Sequence, residues 1–350
     1  MKMQGYFHRV QALTPTRFWI NNPTCDQARL AIEAGAVSCT TNPAYVSKLL
    51  GSGNESPSVR EAIKRALSKG ADNISEAAAR VARDMLVPLL KEFLPLYEES
   101  PRKKGFVSIQ GDPYSEHDPD RIIKEALEDV KLGKNVIAKI PVTRAGLAAV
   151  EYLVARDIPV IATEIMSIAQ MIAVCEAYGR ASGKSGHEPP LYVTHITGIF
   201  DEHLNHLAAA GSISVGRDAL FQAGLIVARR QYKMMIERDY PGVLLGGGAR
   251  GLHHFTEMVG GRLHVTINWN GAADRLLEND PPVVDRMDCA VPEQYLEELL
   301  FNVPDFERAY RSDGLTVDEF ADFGPVRLFR SQFMTGWDIL TEAVKEEMKK

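Results

Sequence analysis

Cysteine is scarce in this chain, and what there is lies scattered. Cys25, Cys39, Cys175 and Cys289 are the four in 350 residues, and none has a second Cys or a His at metal-ligand spacing. That argues against a disulfide scaffold or a zinc module and fits a reducing compartment. The N-terminus, Met1 to Arg9, lacks the apolar core of a secretion signal. No apolar run approaches the roughly 20 residues a membrane helix needs. Positive charge is also in short supply: 40 Lys and Arg stand against 46 Asp and Glu, a net charge of -6. Such a balance offers nucleic acid no general attraction, and no basic arm or aromatic-basic RNA motif is present. Internal repeats and low-complexity segments are missing as well. The remainder, 45% hydrophobic and 25% charged, is the composition of a soluble globular protein. The expectation is a cytoplasmic protein that binds neither nucleic acid nor membrane.

What the sequence does contain is an alternation of short apolar runs with helical spacing. Phe18 to Asn22 reads as a first strand and Val37 to Pro43 as a second, ending in an Asn-Pro turn. A long helical stretch from about Tyr45 to Arg102 follows. Later strands are expected at Phe106–Asp112, Asn135–Thr143, Pro159–Met166, Leu191–Thr197, Gly242–Leu245 and Leu263–Trp269, with helices between them. Eight strands alternating with helices over some 250 residues is the arithmetic of an α/β fold of the (β/α)8 TIM barrel type. A doubly wound open sheet is the alternative. Nothing between the strands has linker composition. We therefore expect a barrel domain over 1–275 and a helical C-terminal extension over 276–350, packed on the barrel.

Lys139 stands out within Asn135-Val-Ile-Ala-Lys-Ile-Pro-Val-Thr143. Its neighbours form an unbroken apolar run, as in a parallel strand covered on both faces. Lysine is almost never fully buried without a partner or a purpose. Desolvation favours the neutral amine, which is the form that attacks a carbonyl to make a Schiff base. A structural ion pair, or a lysine snorkelling from a strand end, is the plainer reading. Other polar residues near strand ends are Asn21, Asn42, Gln110, Asp112, Thr163, Thr194 and Arg250. In a barrel they would share one mouth.

These stretches resemble the transaldolase family, which includes the fructose-6-phosphate aldolases. The likeness rests on Thr40-Thr-Asn-Pro43, on Val136-Ile-Ala-Lys-Ile-Pro-Val-Thr143, and on Pro159-Val-Ile-Ala-Thr163 with Ser167-Ile-Ala-Gln170. Leu245-Gly-Gly-Gly-Ala-Arg250 and Leu263-His-Val-Thr-Ile267 support it. It keeps its order over about residues 16 to 270. The resemblance implies a class I aldolase in which Lys139 forms the Schiff base with a ketose donor. It places Thr163 beside a catalytic water, Asn42 and Thr194 at donor hydroxyls, and Arg250 at a substrate phosphate. Thr41 and Gly248, flanking these positions, are counted with the binding residues. The implied setting is carbohydrate metabolism of the pentose phosphate type, with ketose, aldose or sugar phosphate substrates. No metal or organic cofactor is expected, and a homo-oligomer, as a dimer, is.

The sequence departs from the family at telling places. The aspartate that shuttles the proton in C–C cleavage is Asn21 here, and an amide cannot do that at neutral pH. The third-strand glutamate is Gln110, as it is in the short aldolases. Their compensating tyrosine is Ile196, a second phosphate-binding arginine is Ile199, and a donor-binding asparagine is Ile161. Asp112 is the first candidate for a substitute acid or base, since period-2 alternation sets it on the face of Gln110. The same parity turns Glu164 and His195 outward, towards the helices, as structural residues. The alternatives are a class I aldolase for a different carbonyl substrate, or a barrel that binds carbonyl or phosphate compounds without turnover.

Two further patterns have plain readings. Gly246-Gly-Gly-Ala-Arg-Gly251 satisfies a dinucleotide fingerprint, but the next strand ends without the acidic residue a ribose would need. An anion site made of those amides and Arg250 is the better reading. His203 and His206 share a helical face at i, i+3, which reads as a solvated helix start rather than a metal site. His253-His254 could extend the anion site near Arg250.

Overall fold

A computed structural model describes residues 5–71 and 73–350. Eight parallel strands close into a barrel in chain order. They are β1 (Arg17–Asn21), β2 (Ser38–Thr40), β3 (Val107–Ile109), β4 (Val136–Pro141), β5 (Val160–Ile165), β6 (Leu191–His195), β7 (Val243–Gly246) and β8 (His264–Ile267). β1 pairs with both β2 and β8, which excludes the open sheet. The expected (β/α)8 barrel with a helical C-terminal region is the fold. No helix among the described residues is long and apolar enough to cross a membrane.

Strand parity divides the barrel interior into two storeys. Trp19, Ile137, Ile161, Tyr192 and Leu245 form a separate buried apolar cluster inside the ring. Two residues further along each strand, on the same side, come Asn21, Lys139, Thr163, Thr194 and Gly247, all of which line the mouth. Side chains alternate across a strand, so an apolar layer at position i commits position i+2 to the level above it. The lower layer is tightly built: the Trp19 and Tyr192 rings meet edge to face at 4.9 Å. Trp19 Nε1 also donates to His264 Nδ1 at 2.7 Å. It is the floor on which the polar layer stands.

Three features go beyond the sequence reading. The chain is structured ahead of the first strand. Tyr6–Leu13 is a helix whose Phe7 stacks on Phe18 of β1 at 4.0 Å. Next, β5 is not regular. Ala162 pairs with Val193 and Ile165 with His195, so one extra residue is accommodated in β5, and Glu164 takes a left-handed φ of 62°. A bulge of this kind re-aims side chains that parity would send elsewhere. Finally, the helical extension ends in one long helix, running from Gly324 to Met348.

That C-terminal helix crosses the barrel mouth. Its buried stripe is Val326, Phe329, Phe333, Gly336, Trp337, Leu340 and Val344, at three- and four-residue spacing. It packs on helices Tyr45–Leu50, Ile74–Glu99 and Thr197–Ala209. Gly336 permits the approach, because a Cβ there would meet Ala44 Cα at 2.6 Å. Tyr114 after β3 anchors the same helix by donating to Asp338 Oδ1 at 2.8 Å.

Candidate active site

Lys139 projects from the inner face of β4 with 6% of its surface exposed. Its Nζ donates to the Thr41 carbonyl at 3.1 Å and lies 5.6 Å from the centroid of the Phe333 ring. No carboxylate lies within ion-pair distance of it among the described residues. Burial pushes its pKa down from 10.5 to about 8, while the charges of Glu164 and Glu116 pull the other way. A lowered lysine pKa in a cavity is the state an amine nucleophile requires.

The amine opens onto a cavity of about 270 Å³ at the C-terminal end of the strands, the end where barrels of this type bind ligands. Asn21, Asn42, Thr163, Thr194, Gly248 and Arg250 line it with Lys139. Six of the residues singled out in the sequence therefore meet at one place with the lysine. The Oγ1 atoms of Thr163 and Thr194 are buried without a partner among the described residues. Two hydroxyls kept free in this way suit a polar ligand or a water. Asn21 is held from both ends: its amide donates to Asn268 Oδ1 at 2.9 Å and its Oδ1 accepts from Thr40 at 3.0 Å.

Three of the expected site residues lie elsewhere. Thr41 turns its hydroxyl to the Ser108 carbonyl and meets the lysine through its backbone oxygen alone. Its neighbour Thr40 lines the cavity instead. Asp112 is outside the cavity, with Oδ1 accepting from Tyr114 N at 2.9 Å and Oδ2 from Ser75 at 2.7 Å. With both oxygens engaged in capping and anchoring, it is not placed to exchange protons in the mouth. Gln110 also stands aside from the cavity and faces two glutamates.

One of those glutamates, Glu164, is where parity fails; the other, Glu116, comes from the loop after β3. The bulge in β5 turns Glu164 away from the outer helices and over the end of β4, where Gln110 Nε2 donates to its Oε1 at 3.0 Å. The same amide reaches Glu116 Oε1 at 3.4 Å. Both residues are buried, Glu164 completely and Glu116 with 4% of its surface exposed. Arg330 of the C-terminal helix stands 3.9 Å from Glu116 Oε2. Burial raises the pKa of both, and that of Glu116 well above its usual range, with Glu164 adding to the shift. His195, by contrast, faces the helices as parity requires, bonding the Gly224 carbonyl at 3.1 Å. Burial pushes its pKa down to about 4.

At the opposite rim, Arg250 is already engaged. Its Nε donates to Glu202 Oε2 at 2.6 Å and its Nη2 to Gln332 of the C-terminal helix at 3.2 Å. His254 holds this loop, since its Nδ1 accepts from Arg250 N at 2.9 Å and its Nε2 bonds Asp201 Oδ2 at 2.8 Å. Asp201, His253 and His254 come together as the metal-sized cluster of the described residues. Both nitrogens of His254 are committed, however, so the arrangement works as a brace for the loop. Gly248 has φ 65° with Ile196 close beside it, a conformation that side-chain-bearing residues avoid. His203 bonds Asp305 at 2.7 Å and is tied to the C-terminal region rather than solvated.

The chain matches a family model described as Transaldolase/Fructose-6-phosphate aldolase over residues 18–268. The chain belongs to the transaldolase/fructose-6-phosphate aldolase family. It is 28% identical over 233 residues to the transaldolase of Mycobacterium ulcerans (strain Agy99), covering 61% of this chain and 60% of that protein. It is 26% identical over 232 residues to the transaldolase of Mycobacterium tuberculosis (strain ATCC 25618 / H37Rv), with the same shares. The matches thus span about three fifths of these curated relatives. The transaldolase-family match includes Lys139, Thr163, Asn42, Thr194 and Arg250. It ends before the C-terminal helix, so Phe329, Arg330, Gln332 and Phe333 fall outside it.

Sequence reasoning missed those four, along with Glu116 and Lys48, whose Nζ donates to the Asn22 carbonyl at 2.6 Å on the cavity wall. A usable signal existed for two of them. The Phe329–Phe333 pair at i, i+4 marks a buried helical stripe. Consecutive polar residues, Thr163 and Glu164, inside an otherwise apolar strand hint at a bulge. Nothing local singles out Glu116 or says which helix covers the mouth.

Proposed function

We propose that this chain is a class I aldolase or transaldolase that makes and breaks C–C bonds of ketoses through a Schiff base on Lys139. The observation that carries the reading is the buried amine of Lys139, out of ion-pair reach of any carboxylate among the described residues, held on one side by the Thr41 carbonyl and open on the other to a polar cavity. The neutral amine adds to a ketone to give a carbinolamine. Loss of water then forms an iminium, which withdraws electrons from the neighbouring C–C bond. That bond breaks to an enamine and an aldehyde, and the enamine takes either a new aldehyde or a proton. Thr163 and Thr194 supply free hydroxyls for the departing water and the donor, and Asn42 an amide for the donor's hydroxyls.

The substrate is a small polyhydroxy ketone, which suits a cavity of this size lined by amides and hydroxyls. Arg250 marks the place of an anionic end, in keeping with sugar phosphates as the family's substrates. Its pairing with Glu202 favours a substrate less anionic than a phosphate monoester, because a dianion there must displace or face that carboxylate. The setting is carbohydrate metabolism of the pentose phosphate type.

Borohydride reduction in the presence of dihydroxyacetone, fructose 6-phosphate or pyruvate tests the reading. The expected result is a reduced adduct located by mass at Lys139 and lost in Lys139→Ala. No adduct with any carbonyl compound would overturn it.

A further inference from the structure

The carbonyl chemistry needs an acid that neither Asn21 nor Gln110 can supply, since a carboxamide has no acidic proton at neutral pH. Beyond ion-pair reach of the lysine, but close enough for their charge to act on it, the chain keeps two buried carboxyls. Glu116 sits in the loop after β3 and Glu164 in the bulge of β5, so they reach each other across the end of β4, the strand that carries Lys139. A single amide nitrogen, Gln110 Nε2, bridges their Oε1 atoms. Their Oε2 atoms have no hydrogen-bond partner among the described residues. Two carboxyls this close do not both ionise out of water while the amine near them is neutral. One proton held between them is the donor that the two amides lack.

We propose that Glu116 and Glu164 form a proton-sharing pair that acts as the acid and base for imine formation at Lys139. The proposal rests on the Schiff-base reading above. Glu116 and Lys139 both line a small cavity of about 20 Å³ between the ends of β3 and β4 and the helix Pro119–Asp129, together with Gln110, Asp112, Glu125 and Asp129. That is room for one water molecule, the relay that the pair needs to reach the amine. The groups facing the pair are Gln110 from the end of β3, Lys139 from β4 and Arg330 from the C-terminal helix.

The step balances within these groups. Lys139 and the ketone have joined as a neutral carbinolamine. The pair passes its proton through the water to the carbinol oxygen, the C–O bond breaks, and a water molecule leaves. The nitrogen lone pair becomes the second bond of C=N. The pair goes from one negative charge to two as the iminium gains one positive charge, with Arg330 beside it. Hydrolysis of the product imine runs the same path backwards and returns the proton. A structural role is the competing account: the pair would merely receive Arg330 and so clasp the C-terminal helix.

Single-turnover borohydride trapping with dihydroxyacetone across pH separates these, using the full chain and the variants Glu116→Gln and Glu164→Gln. Both variants remove negative charge near Lys139, so the midpoint of the pH profile moves down whatever the pair does. The plateau rate of trapping distinguishes the two roles. It should fall by about 10²-fold in each variant, with dihydroxyacetone affinity changed by no more than a few-fold, and Glu164→Asp should recover part of it. Plateau rates equal to the unmodified chain, with a lowered melting temperature, would overturn the proposal and leave the helix clasp. If Glu164→Gln does not fold, Glu116→Gln decides by the same plateau. No adduct on the unmodified chain would overturn the Schiff-base reading itself, and the pair's role with it.

Discussion

The Phe333 ring from the C-terminal helix lies 5.6 Å from Lys139 Nζ on β4. Nearly two hundred residues separate them in the chain, yet this contact is part of what keeps the amine dry. An aromatic side chain cannot accept the lysine's proton, and it excludes the water that would favour the ammonium form.

Phe333→Ala should therefore let solvent reach the amine. The pKa of Lys139 should climb from about 8 towards 10.5, and imine formation at neutral pH should slow. Phe333 is almost fully buried, so the truncation should also cost about 3–5 kcal/mol of stability. Trapping rates against pH and a urea melt measure the two effects. An unmoved midpoint would show that the lid does not set the amine's state.

The pH dependence of the unmodified chain follows from the same group. At pH 7 an amine with a pKa of about 8 is roughly one tenth neutral, against roughly one part in three thousand at 10.5. Trapping should rise about tenfold per pH unit below 8 and level off above it. The folded pKa is lowered, so between pH 8 and 10.5 the unfolded chain binds more protons and stability rises with pH. Lys139→Met removes the cost of burying a charge, and at pH 7 it should raise stability by on the order of 2–3 kcal/mol. Denaturant titrations of both proteins at pH 7 and 10 would show whether the gap closes as expected.

Glu202 holds Arg250 at 2.6 Å, and Glu202→Gln should free the guanidinium. Inorganic phosphate and fructose 6-phosphate should then bind more tightly, by about tenfold, the scale of one charge-assisted hydrogen bond. Calorimetric titration with phosphate is the direct check. If affinity is unchanged, Arg250 is a structural strut between the β7 loop and the C-terminal helix.

Asn21→Asp restores a carboxyl at the end of β1. The amide it replaces donates to Asn268 Oδ1, so Asn268 must rotate its own amide to present a donor, which its exposed position allows. We expect cleavage of fructose 6-phosphate to increase by at least about tenfold, given the 10²–10⁴ range of general acid–base catalysis. A decrease in a coupled aldehyde-release assay would mean that the mouth has been rebuilt around the amide.

Much of this was legible in the order of residues alone. Period-2 patterning placed the strands, and it also placed Lys139, Thr163 and Thr194 two positions above Ile137, Ile161 and Tyr192. A pleated strand leaves no choice about which side the next-but-one residue takes. The parity of His195 came out for the same reason. What the sequence determined by itself is the barrel, its apolar floor and the strand-borne part of the polar storey, since all three follow from local repeat distances. Tertiary structure alone decided the rest. A one-residue bulge swung Glu164 onto Gln110, a loop carried Glu116 to meet it, and a helix from the far end of the chain set Phe333 over the amine. These depend on backbone irregularity and on packing between distant segments, which no short-range period encodes.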